Sequence, residues 1–89
     1  MKKKKRRTKV IEARLGKYRV NGKYVYGFAL INKNKILIDP RQNAKCYLDT
    51  LIHEKLHLIF PAWSETRISK TARELSSLLW EHAYRRVDA

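Results

Sequence analysis

The apolar residues of the chain change their period once, near Asn43, and the two halves predict different kinds of structure. In the first half Ile11, Ala13 and Leu15 alternate with Glu12 and Arg14, the period of a half-buried strand, and Gly16 ends the run. Tyr18-Arg19-Val20 and Lys23-Tyr24-Val25-Tyr26 flank Asn21-Gly22, a pair that tolerates positive φ at both turn positions and so predicts a hairpin. The second arm continues through Gly27-Phe28-Ala29-Leu30-Ile31 and sets Tyr24, Tyr26, Phe28 and Leu30 on one face. Asn32-Lys33-Asn34 reads as another turn, and Lys35-Ile36-Leu37-Ile38-Asp39 as a strand stopped by Pro40.

Beyond Asn43, Tyr47, Leu48, Leu51, Ile52, Leu56 and Ile59 recur at helical spacing, and Pro61 breaks the helix after Phe60. Ser64 is a good N-cap for a second helix, with Glu65 in its first turn. Its apolar stripe is Ile68, Ala72, Leu75, Leu79 and Trp80, and the pattern predicts that it runs to about Arg86. The expected fold is α+β: a small antiparallel meander of three to four strands packed on two long helices.

Composition narrows this picture. Eighty-nine residues make one domain with a small core. A single cysteine, Cys46, excludes an internal disulfide and reads as a small core residue, and no apolar run is long enough to span a membrane. Twenty-one Lys and Arg against 8 Asp and Glu give a net charge of +13. Seven of those positive charges (Lys2, Lys3, Lys4, Lys5, Arg6, Arg7 and Lys9) stand in the first nine residues, leaving +6 on the remaining eighty. Like charges in a block repel, so residues 1–9 are expected to form a disordered basic head and residues 10–89 the single domain. Such an arm suits phosphates of nucleic acid or an acidic partner, with Lys2 to Arg7 as the contacts, or serves as a solubilising tail.

The string that carries chemistry is His53-Glu54-Lys55-Leu56-His57, an H-E-x-x-H on the first helix. A chain of this length matches that pattern by chance about once in a hundred, so the motif has weight. Positions i and i+4 lie one turn apart on one face, where two neutral imidazoles can reach one ion. Imidazole suits zinc, and a catalytic zinc keeps a position for water. Glu54, next to the first ligand, can stand beside that water as general base, attacking a carbonyl and passing the proton to the leaving nitrogen. The bland alternative is a polar face on a solvated helix.

A third ligand is needed. Phe60 and Trp63 occupy the places where a metzincin would carry glycine and histidine. The remaining candidates are Glu65 and Glu74, nine residues apart and so on opposite sides of the second helix at about 100° per residue. Glu65 shares the apolar stripe and stands near the turn; Glu74 lies about 13 Å further along the axis. Both arguments favour Glu65. Asp49, one turn before His53, is a candidate to orient that imidazole.

The meander, the H-E-x-x-H helix and the following glutamate-bearing helix resemble the gluzincin zinc metallopeptidases, most of all the minimal form called minigluzincins. They are also similar to small H-E-x-x-H proteins of phages and prophages. The likeness spans roughly residues 23–86, and its specific part is the motif itself. The resemblance implies a peptidase holding one zinc ion with His53, His57 and Glu65, and using Glu54 as base. The usual gluzincin glutamate stands farther downstream than Glu65, which keeps Glu74 open. In such enzymes a strand edge above the metal holds the substrate backbone as an added strand, and here Gly27, Phe28 and Ala29 are the candidates. The implied partner is a protein or peptide substrate, and the implied setting the cytoplasm of a bacterium or phage-infected cell. A monomer with no membrane association is expected. The rival expectation is a basic nucleic-acid-binding or host-interaction protein whose metal site is structural or vestigial.

Overall fold

A computed structural model describes residues 7–16, 19–20 and 23–87. In chain order these form β1 (Lys9–Glu12), β2 (Arg19–Val20), β3 (Lys23–Tyr24), β4 (Gly27–Leu30), β5 (Lys35–Ile38), α1 (Ala44–Ile59) and α2 (Glu65–Glu81). The class is α+β, as the change of period implies. The basic head up to Arg6, the Asn21-Gly22 turn and Tyr18 lie outside the described residues. Lys9, counted with the head by its charge, is the first residue of β1, and Thr8 Oγ1 donates to Asn34 Oδ1 at 3.0 Å.

The sheet is not an antiparallel meander. Its order is β1-β5-β4, with β5 central, antiparallel to β4 and parallel to β1. The β2–β3 pair stands as a separate two-stranded sheet, and the chain does not run as one strand from Lys23 to Ile31. Alternation marks which residues share a face, but it carries no information on the direction or partner of pairing. The run interrupts at Tyr26, whose carbonyl accepts a hydrogen bond from Asp39 N at 2.9 Å. Strand β1 also begins earlier than the Ile11–Leu15 alternation suggests, because Leu15 and Gly16 serve another purpose.

That purpose is Asp39, a carboxylate 1% exposed at the end of β5. Its Oδ2 accepts from Leu15 N at 2.9 Å and Gly16 N at 3.1 Å, and its Oδ1 from Arg41 N at 3.0 Å. Arg41 adds Nε to Oδ1 at 3.0 Å and its terminal nitrogen to Oδ2 at 2.8 Å. A buried carboxylate is tolerated only when paired and hydrogen-bonded, and this one ties the exits of the two parallel strands together. The Arg41 bonds hold its pKa well below the usual carboxylate range, against the opposing effect of burial.

Helix α1 starts at Asn43, whose Oδ1 accepts from Cys46 N at 2.9 Å, and α2 at Ser64, whose Oγ accepts from Arg67 N at 3.2 Å. The helices fold back on each other: His57 lies beside Glu65, and Asp49 bonds to Ser76 near the other end. Leu56, Ile68 and Ala72 are buried between them, with Ile52 and Trp63 packed alongside. Ile36 and Ile38 of β5 are also fully buried. Each such isoleucine contributes roughly 2–3 kcal/mol through removal of apolar surface from water.

Three sequence expectations change here. The inward stripe of α2 is Ile68, Ala72 and Ser76, strictly four apart, so Leu75 falls to the flank and is 42% exposed. The helix stops at Glu81 rather than near Arg86, because Ala83 takes a positive φ of 63° and turns the chain back. Arg86 then reaches Glu12 Oε2 at 2.8 Å and Arg85 stacks on Trp80. Cys46 is exposed in the first turn of α1 rather than part of the core. Among the described residues no helix is long and apolar enough to cross a membrane.

Candidate metal centre

The H-E-x-x-H residues sit in the second half of α1, where helical spacing stacks His53 and His57 with ring centroids 5.0 Å apart. The connection to α2 is short. Phe60 N closes α1 on Leu56 O at 2.8 Å, and Trp63 N bonds Phe60 O at 3.0 Å. Trp63 and Phe60 stack face to face at 4.0 Å, and Ser64 then caps α2. Glu65 is therefore the first residue of α2, turned back towards the end of α1, where its charge also complements the helix dipole.

Its two oxygens divide between the two rings. Glu65 Oε1 lies 2.6 Å from His53 Nε2, and Oε2 lies 2.9 Å from His57 Nε2. Among the described residues these three form the group whose donor atoms all lie within 4.8 Å of one another. Glu74 is exposed and stands outside this group, and so does His82 at the end of α2. The donor set of two imidazole nitrogens and one carboxylate matches the composition of catalytic zinc sites. The 2.6 and 2.9 Å separations are those of hydrogen bonds. A tetrahedral site with zinc bonds near 2.0–2.1 Å needs edges of about 3.3 Å, a few tenths of an ångström wider than these.

Glu54 is the buried member of the motif, at 9% exposure. It turns from His53 towards β4, where a Cβ built on Gly27 would lie 3.0 Å from its Cγ and 3.2 Å from its Oε2. Burial, and then the charge of Glu65, push its pKa up to about 7. No lysine or arginine pairs with it among the described residues. A buried carboxylate shifted by desolvation beside a group of ligand-type side chains is a candidate for a functional role.

These groups open into a cavity of about 590 Å³ between α1 and β4. Gly27, Phe28 and Ala29 line one wall, and Asp49, His53, Glu54, His57 and Glu65 line the others, with no lysine or arginine among the described lining residues. Strand β4 ends the sheet on this side. Gly27 has a further role: a Cβ there would meet Thr50 Cγ2 at 2.7 Å, so its absence lets the strand approach the helix. Asp49 lines the cavity, and its Oδ1 accepts from Ser76 Oγ at 3.0 Å, which braces α1 to α2. Arg7 is exposed, and the remaining head lysines and Arg6 lie outside the described residues.

Two residues of the site carried no obvious sequence signal. Thr50 Oγ1 donates to Gln42 Oε1 at 2.7 Å, and Gln42 Nε2 donates to Asp39 O at 2.8 Å and Tyr26 O at 3.3 Å. Together they fix the start of β4 above α1. Thr50 stands one turn before Glu54, a spacing that places it on the same face; nothing local marks Gln42. Comparisons with protein-family models, with curated proteins and with solved structures find no match.

Proposed function

We propose that the chain is a zinc-dependent metallohydrolase, a peptidase of gluzincin type, with His53, His57 and Glu65 as metal ligands and Glu54 as general base. The observation that carries the reading is the convergence of three ligand-type side chains on one point, beside a buried glutamate, at the floor of an open cleft. When bound, zinc supplies Lewis acidity, polarising the scissile carbonyl and lowering the pKa of a water. Glu54 takes a proton from the attacking water at a carboxylate oxygen. It returns that proton to the amide nitrogen as the C–N bond breaks, which leaves it ready for the next cycle. The outer edge of β4, with no strand paired to it among the described residues, offers backbone groups to an extended peptide.

The test is metal content and peptide hydrolysis of the full chain. The parent is expected to bind zinc and cleave; Glu54→Gln keeps zinc and loses activity; His53→Ala and Glu65→Ala lose zinc. A parent that folds cooperatively without taking up zinc would overturn the reading. A second reading, a basic nucleic-acid-binding or host-interaction protein, draws on the charge of +13. Under it, zinc binds or not, and Glu54→Gln changes no activity.

A further inference from the structure

The cleft is continuous with a second cavity of opposite character. This groove, about 640 Å³, shares Tyr26, Asp49 and Thr50 with the cleft and lies towards the start of β4. The cleft holds three carboxylates and no described lysine or arginine; the groove carries Arg41, Lys45 and Arg73. Arg41 is paired with Asp39, whereas Lys45 and Arg73 make no ion pair among the described residues. Asn43 and Ser77 add neutral hydrogen-bonding groups to the same walls. Asp49, the one carboxylate lining the groove, is held at its border by Ser76 Oγ.

An extended chain lying along β4 with its reacting bond over His53 and His57, and continuing past Tyr26, enters this groove. The geometry points to the groove as a binding subsite for acidic side chains of the substrate, a few residues from the bond that is cut. This rests on the peptidase reading for its position beside the cleft, and for its preference on Lys45 and Arg73, which make no ion pair among the described residues. An acidic peptide fits better than nucleic acid: the groove holds two to three side chains, is a pocket rather than an extended track, and offers Tyr26 as its one aromatic ring.

The test uses fluorescent peptides of one sequence, neutral or carrying three aspartates on one side or the other of the central bond. Binding is measured by anisotropy on full-length Glu54→Gln protein, and cleavage on the parent. The aspartate peptide of one polarity is expected to bind about tenfold more tightly than the neutral one, a difference that shrinks at high salt. Lys45→Glu with Arg73→Glu removes the preference, while Lys33→Glu, the same kind of charge change at the other end of β4, leaves it. Equal binding of all peptides, or a preference unaffected by the Lys45 and Arg73 changes, overturns the proposal. So does a short single-stranded oligonucleotide that binds more tightly than the peptides with the same dependence on those residues. If the parent cleaves none of the peptides while the binding pattern appears, the peptidase reading fails and the groove stands as a binding site for acidic peptide alone.

Discussion

Gly27→Ala separates two reasons for a glycine at the rim of the cleft. The residue lies in a regular strand, so an alanine meets no backbone strain. The new Cβ would stand 2.7 Å from Thr50 Cγ2 and 3.0 Å from Glu54 Cγ, where carbon atoms settle at about 3.5–4.0 Å. Thr50 cannot swing away without breaking its 2.7 Å bond to Gln42, so β4 must lift by several tenths of an ångström. Overpacking of this kind costs roughly 1–3 kcal/mol, offset by about 0.4–1 kcal/mol from the lost freedom of the unfolded glycine. The expected net loss is about 1–2 kcal/mol, or about 5–15 °C in Tm for a chain of this size. Thermal and urea unfolding of the metal-free full-length protein measure it. Thr50→Ser removes the offending methyl and keeps the hydroxyl, so the double variant is expected to recover about 1 kcal/mol. Gly27→Ala as stable as the parent, or a double variant that is simply additive, would refute the packing argument. A rise in KM with stability intact would assign the space to substrate instead.

Three further outcomes follow from the same structure. Zinc at about 100 times its dissociation constant is expected to raise stability by about 2.7 kcal/mol, roughly 10–20 °C in Tm, and His57→Ala to abolish the shift; an equal shift in that variant would exclude the proposed ligand. Asp39→Asn is expected to cost about 3 kcal/mol in urea unfolding, since it places an amide among donors. The pKa of Asp39 is lowered on folding, so the unfolded chain takes up the proton first: its contribution is complete above about pH 5 and is lost as pH falls below about 4, and that loss is absent from Asp39→Asn. Ile68→Ala is expected to cost about 3 kcal/mol and Leu75→Ala about 1 kcal/mol or less, because Ile68 is fully buried and Leu75 is 42% exposed; equal costs would contradict the observed face of α2.

What could be read from the sequence was local. The one-turn spacing of His53 and His57, the caps Asn43 and Ser64, and the half-turn arithmetic that separates Glu65 from Glu74 depend on helix geometry alone, and helix geometry is the same in any fold. Alternation along residues 11–15 and 27–31 could name faces, but pairing direction is a matter between segments far apart in the chain. The parallel β1–β5 register, with Leu15 and Gly16 bonded to Asp39 beyond it, is therefore visible only in the folded chain. The same holds at the site. Asp49 stands on the expected face of α1, and Ser76 on α2, eight residues beyond Ile68, donates its hydroxyl to Asp49 Oδ1. Gly27 read as a candidate for a substrate-holding strand; that its missing Cβ also lets β4 approach Thr50 and Glu54 shows only in the folded chain. The amino-acid sequence by itself determined which side chains one helix could bring together. The tertiary structure decided which of them face a cleft, which are spent as braces, and how deeply Glu54 is buried, because burial and partnership are properties of neighbours that the chain brings close only by folding.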